Sequence, residues 1–161
     1  MIFSKKMCGT VFIILIVLFL HGCAGVKFDS EKYETFQNYK SDFEVINEAV
    51  LALVPEGESD SIMVVKNEQY EVISLFTNGE DIKLTDSQLV AINRIDELYK
   101  TDFSFIDVTP DRISYGGLGN QMYVYSFNGD APSYFYSETN GDKFKTYSLQ
   151  DGWFYLQRKS N

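Results

Sequence analysis

The sequence predicts an α+β domain in which two or three helices pack on an antiparallel meander sheet of about five or six strands. Three observations predict it. An apolar stripe at helical spacing runs from Tyr33 to Leu53, and a capping sequence at Thr85 opens a second helix. From Phe103 onward, short aromatic and β-branched runs alternate with Asn-Gly and Asp-Gly pairs, the pattern of hairpins.

The first segment stands outside that domain. Lys5 and Lys6 precede an uninterrupted apolar run, Val11 to Leu20, which ends on Leu20-His21-Gly22-Cys23. A bilayer-spanning helix needs about 20 apolar residues, so the shorter run reads as an export signal. Leu20, Gly22 and Cys23 resemble the lipobox of the bacterial lipoproteins; His21 departs from it, since that position usually carries a small or β-branched residue. The resemblance covers the signal alone. It implies that Cys23 receives a diacylglyceryl group, becomes the new N-terminus and holds the chain in the lipid bilayer, on the extracytoplasmic side of the cell membrane. Two acyl chains suffice for stable anchoring, at about 0.8 kcal/mol per buried CH₂. Two other outcomes fit the same residues. Gly22-Cys23-Ala24 suits ordinary signal peptidase, which would release a soluble protein, and an uncleaved segment would be a short membrane anchor. The expected organisation is a signal peptide over 1–22, a tether over 23–31 and a single domain over 32–161.

Within the domain, Phe36, Tyr39, Phe43, Ile46, Val50 and Leu53 recur at steps of three and four, which predicts one helix that Pro55 ends. Ser61–Val65 is a short β-prone run. Residues 68–76 fit both periods: Tyr70, Ile73 and Phe76 have helical spacing, whereas Tyr70 and Val72 suit a strand, and the helical reading is preferred. Asn78-Gly79-Glu80-Asp81 is a turn. Thr85-Asp86-Ser87-Gln88 has capping-box form, and Leu89, Ile92, Ile95 and Tyr99 supply the buried face of the helix it opens. Strands are expected at Phe103–Val108, Arg112–Tyr115, Gln121–Phe127, Ser133–Ser137, Phe144–Leu149 and Trp153–Arg158.

Composition narrows the chemistry. After removal of residues 1–22 the chain holds 12 basic and 23 acidic side chains, a formal charge of −11; it has no His, and its only Cys is Cys23. Without His, nucleophilic triads and the usual zinc or copper donor sets are excluded, and no cofactor or metal site is expected. Gly116-Gly117-Leu118-Gly119 lacks the frame of a phosphate loop and precedes a strand. The acidic balance argues against nucleic acid. Carboxylates remain, and paired Asp or Glu can hydrolyse glycosides, but no pair stands out. Asp96-Glu97, Asp107 and Asp111 read as solvated faces and turn flanks.

One positive feature is aromatic density: eight Tyr, six Phe and one Trp lie between Tyr99 and Tyr155. Tyr123 and Tyr125 share one face of a strand, as do Tyr134 and Tyr136. An exposed row of this kind would stack on a glycan or anchor a protein partner; a buried row would pair across strands beneath the helices, and that is the preferred reading. The function expected is that of a non-catalytic binding or inhibitory module at the cell envelope, of immunity or accessory type. A carboxylate-dependent hydrolase of cell-wall glycans is the alternative.

Overall fold

The computed structural model describes residues 26–117, 121–132 and 144–158. Its elements follow the order β1 (Val26–Phe28), α1 (Ser30–Gln37), α2 (Lys40–Leu51), β2 (Asp60–Lys66), β3 (Val72–Thr77), β4 (Glu80–Ile82), α3 (Asp86–Leu98), β5 (Phe103–Thr109), β6 (Arg112–Gly117), β7 (Gln121–Ser126), β8 (Phe144–Gln150) and β9 (Trp153–Arg158). The α+β class holds, but the sheet is larger than expected. Among the described residues it has nine strands, in the order β1-β8-β9-β7-β6-β5-β2-β3-β4. Every pairing is antiparallel except that of β1 with β8.

The extra strands come from segments whose pairing partners lie far away in sequence. Val26–Phe28, within the expected tether, pairs with Thr146–Ser148 of β8. The turn expected at residues 78–81 is confined to Asn78 and Gly79, so Glu80 already opens β4. The helix preferred for 68–76 is replaced by a turn and β3. Asn67 Oδ1 accepts from the amides of Gln69 and Glu71, both at 2.9 Å, and closes the turn in which Tyr70 takes φ 64°. Val72 then finds a substitute strand partner in Asn93 of α3, which accepts from its amide at 2.8 Å and donates to its carbonyl at 3.1 Å.

The single long helix also needs correction: it breaks at Asn38 and Tyr39. Arg94 Nη2 donates to the Asn38 carbonyl at 3.0 Å, and its guanidinium lies 5.5 Å from the Tyr39 ring, so an arginine on α3 stabilises the carbonyl exposed by the break. Asp29 caps α1 by accepting from Lys32 N at 3.1 Å. The apolar stripe survives the break, with Phe36, Phe43, Ile46 and Val50 fully buried and Tyr39 and Leu53 packed at the core's edge.

α3 begins as expected, on a complete capping box between Thr85 and Gln88. The Asn78-Gly79 and Asp151-Gly152 turns both hold two residues at positive φ, at 52° and 82° and at 50° and 82°. That is the geometry which matches the twist of two-residue hairpins. The last strands are not a simple meander, because β9 inserts between β7 and β8. The helices cover one sheet face, where Ile62, Leu75, Ile106, Ile113, Tyr115, Tyr123 and Trp153 form the main core. The other face carries a smaller cluster of Val124, Phe154 and Leu156, flanked by Met122, Ala131 and Phe144. The Ser133–Ser137 strand lies outside the described residues.

Candidate functional site

The strand pairings fix what meets at each end of the sheet. β2 starts where β3, β5, β7 and β8 finish, so one end gathers the 52–59 connection, the turns at Asn78-Gly79, Pro110-Asp111 and Asp151-Gly152, and the chain leaving β7. This end is rich in carboxylates, with Glu56, Glu58, Glu80, Asp111, Asp130 and Asp151 all exposed. Two cations there are engaged: Lys40 pairs with Asp151 at 2.9 Å, and Arg112 with Asp111 at 3.3 Å.

An apolar groove of about 360 Å³ opens at this end, between the C-terminus of α2, the 54–58 connection, the β5–β6 hairpin and Phe127. Its walls are Leu51, Val54, Val108, Pro110 and Phe127, with Glu56 and Glu58 at its mouth. Leu51 is 45% and Phe127 42% exposed, and the two stand on the walls of one groove. Each wall has a fixed backbone. Pro55 follows α2, and Glu58 N donates to Pro55 O at 3.0 Å, turning the chain at Gly57 (φ 83°) toward β2. Phe127 N donates to Asp111 O at 2.9 Å, while Asn128 Oδ1 accepts from Ser126 Oγ at 2.7 Å and Asp130 N at 3.0 Å. The Phe127 ring meets Tyr125 edge-on at 5.8 Å, and Tyr125 packs in turn on Trp153 at 5.1 Å.

A second cavity, of about 310 Å³, is lined by Asp60, Ser61, Asp107, Thr109, Arg112 and Ser114. Its carboxylates are taken up in hydrogen bonds of the fold. Asp60 accepts from Thr77 Oγ1, from Asn78 Nδ2 at 3.1 Å and from Ser61 N at 2.8 Å; Asp107 accepts from Ser61 Oγ at 2.6 Å. Burial lowers the Arg112 pKa, opposed by Asp111 and Asp107. Ser114 Oγ is buried without a hydrogen-bond partner among the described residues. Among the described residues, no three His, Cys, Asp or Glu side chains come together as a metal site, and no helix is long and apolar enough to cross a membrane.

The four tyrosines offered as partner contacts fare differently. Tyr123 is no surface residue: it is 3% exposed, and its ring packs against Phe36, Phe43 and Tyr155, where burial pushes its hydroxyl pKa upward. It leaves the candidate set because β7 turns that face toward the helices. Tyr125 is half-buried and supports Phe127 from beneath. Tyr134 and Tyr136 lie outside the described residues, as does Cys23. Asp96, read as solvated, is also corrected: it is 3% exposed and paired with Lys66 at 2.7 Å. The groove was not anticipated. The one signal for it in the sequence was Phe127 standing directly before the Asn128-Gly129-Asp130 turn, and closure of the groove depends on Leu51 arriving from a helix end 76 positions earlier.

No protein-family model matches the chain, and neither do any curated protein or solved structure.

Proposed function

We propose that the protein is a non-catalytic binding or inhibitory module, of immunity or envelope-accessory type, held at the outer face of a bacterial cell membrane by an acylated Cys23. The observation that carries the binding reading is the apolar groove between exposed Leu51 and Phe127 at the carboxylate-rich end of the sheet. A concave apolar groove with a few polar groups at its edge suits a bound side chain or ligand better than catalysis when no activated nucleophile or base accompanies it.

The direction of β1 supports the arrangement. β1 runs parallel to β8, whose last residues lead into the Asp151-Gly152 turn, so Val26 is the end of β1 farther from the groove. Two residues, Ala24 and Gly25, separate Cys23 from Val26, and the three steps between them span about 10 Å at most. An acyl anchor there leaves the groove facing away from the bilayer.

Cell fractionation with an acyl label tests the anchor: the Cys23→Ala variant loses the label and leaves the membrane fraction. Affinity capture from native envelope with the full chain tests the binding role. A carboxylate-dependent glycan hydrolase is the competing reading, favoured by Asp60 and Asp107 sharing the second cavity. Sugar release from purified cell wall that stops in Asp60→Asn or Asp107→Asn would replace binding with hydrolysis.

A further inference from the structure

We propose that the groove takes a cationic segment of a partner protein, with one apolar side chain seated between Leu51 and Phe127 and flanking Lys or Arg residues set against Glu56 and Glu58. This rests on the reading of the chain as a binding module and assigns the chemistry of its partner.

Three observations choose this occupant. The first is room: about 360 Å³ exceeds many times the ~30 Å³ share of a single water, so a large side chain fits. The second is the character of the walls. Leu51, Val54, Val108, Pro110 and Phe127 offer apolar surface, and Phe127 is held by the Asp111 carbonyl and the Asn128 turn before any partner arrives. A wall ordered in advance adds little ordering cost on binding. The third is charge. Glu56 and Glu58 are exposed at the mouth, and neither makes an ion pair among the described residues. Residues 23–161 carry a formal −11 besides, from 12 basic and 23 acidic side chains. An anionic segment meets repulsion at this mouth, and a neutral apolar ligand gains nothing from the two carboxylates. A cationic segment gains both attraction and a faster encounter.

The test uses the full chain in zwitterionic lipid nanodiscs and fluorescein-labelled peptides read by anisotropy. The probe is Lys-Lys-Phe-Lys-Lys. Its companions carry Ser in place of Phe, Ser in place of every Lys, or Glu in place of every Lys. The cationic Phe peptide binds saturably and weakens with added salt, and each companion binds at least about tenfold more weakly. Glu56→Lys with Glu58→Lys, and separately Phe127→Ser, weaken the probe by about tenfold or more, while Phe127→Leu retains binding because it keeps an apolar wall. All these side chains are exposed, and far-UV circular dichroism verifies that the variants fold. Equal binding by the neutral Phe peptide, or a probe affinity indifferent to both Glu56/Glu58 and Phe127, overturns the assignment. A partner captured from envelope that still binds both variants would overturn it too, while leaving the binding role intact. A captured partner lost from both variants would support it.

Discussion

Replacing Lys66 by Met removes the ammonium that ties β2 to the end of α3. Lys66 Nζ lies 2.7 Å from Asp96 Oδ1 and donates to the Thr101 carbonyl at 2.6 Å. The lysine side chain is 16% exposed and the aspartate 4%, so both charges sit largely out of water. In the variant, Asp96 keeps the Phe103 amide at 3.2 Å as a donor but loses its counter-charge. Breaking a buried pair from one side costs roughly 3–5 kcal/mol, because it strands a charge in a poor solvent. The partial exposure of Lys66 places the cost at the low end, about 3 kcal/mol, or roughly 10 °C of melting temperature for a domain of this size.

Trp153, the chain's one tryptophan and 2% exposed, reports unfolding by fluorescence during a urea titration. Asp96→Asn should cost less, about 1–2 kcal/mol, since the amide oxygen still accepts a hydrogen bond and Lys66 can extend toward water. The double variant should fall short of the sum by at least about 1 kcal/mol, the signature of two groups in direct contact. Binding at the groove, at the opposite end of the sheet, should not change below the melting transition. A Lys66→Met cost under about 1 kcal/mol would place the pair among exposed ion pairs and refute the reasoning.

Three further outcomes follow from single contacts. A Cβ at Gly117 would meet the Asp102 carbonyl oxygen at 2.0 Å, a backbone atom that cannot swing aside, so Gly117→Ala should destabilise by about 3 kcal/mol in the same titration, and a loss under about 1 kcal/mol would contradict it. Tyr115→Phe removes a buried hydroxyl that donates to Asn47 Oδ1 at 2.6 Å and should cost about 1–2 kcal/mol; an equal or higher melting temperature would show that the bond adds nothing. Burial raises the Asp42 pKa above 3.8, with Arg94 opposing it. The folded state therefore holds this proton to higher pH than the unfolded state does. That contribution to stability is full below the unfolded pKa and is lost as pH rises through the raised folded value. Asp42→Asn should remove this component from the stability–pH profile, and an unchanged profile would refute the assignment.

How far the fold could be read from the sequence depended on where each element finds its partners. The Thr85 capping box, the Asn78-Gly79 and Asp151-Gly152 turns and the burial of the stripe from Phe36 to Leu53 rest on residues close in sequence, and each appeared as expected, although the helix carrying the stripe is broken. The helix break at Asn38 is stabilised by Arg94, 56 positions away, and β3 begins on Asn93, 21 positions from Val72. No local periodicity encodes either contact. Tyr70, Ile73 and Phe76 repeat every third residue, yet Tyr70 and Ile73 end exposed at 67% and 50%, which shows that the spacing did not mark a buried face. Tyr123 and Tyr125 do alternate as read, but the face they share is the one the helices cover, and the distribution of helices over a sheet is a tertiary choice.

The same dependence on topology governs the charge. In sequence, the acids of 52–60, 78–81, 107–111, 128–130 and 151 are scattered among ordinary turns, and each looks like solvated punctuation. The antiparallel order converts that scatter into one carboxylate-rich end, because alternate connections of such a sheet must emerge on the same side. The opposite end receives the Asn67–Glu71 turn, the Lys100–Asp102 turn, the start of β8 at Phe144 and Lys145, and the close of β9 at Arg158. β1, parallel to β8, brings the chain in from that second end. If Cys23 is acylated as proposed, the carboxylates around the groove would project outward, clear of anionic headgroups whose field fades within about 8–10 Å at physiological salt, while Glu68, Glu71 and Asp102 would lie at the nearer end. An anchor at the other end of β1 would press the acidic groove against the membrane. The parallel pairing of three residues, Val26 to Phe28, is therefore what aligns the proposed anchor with the proposed binding surface.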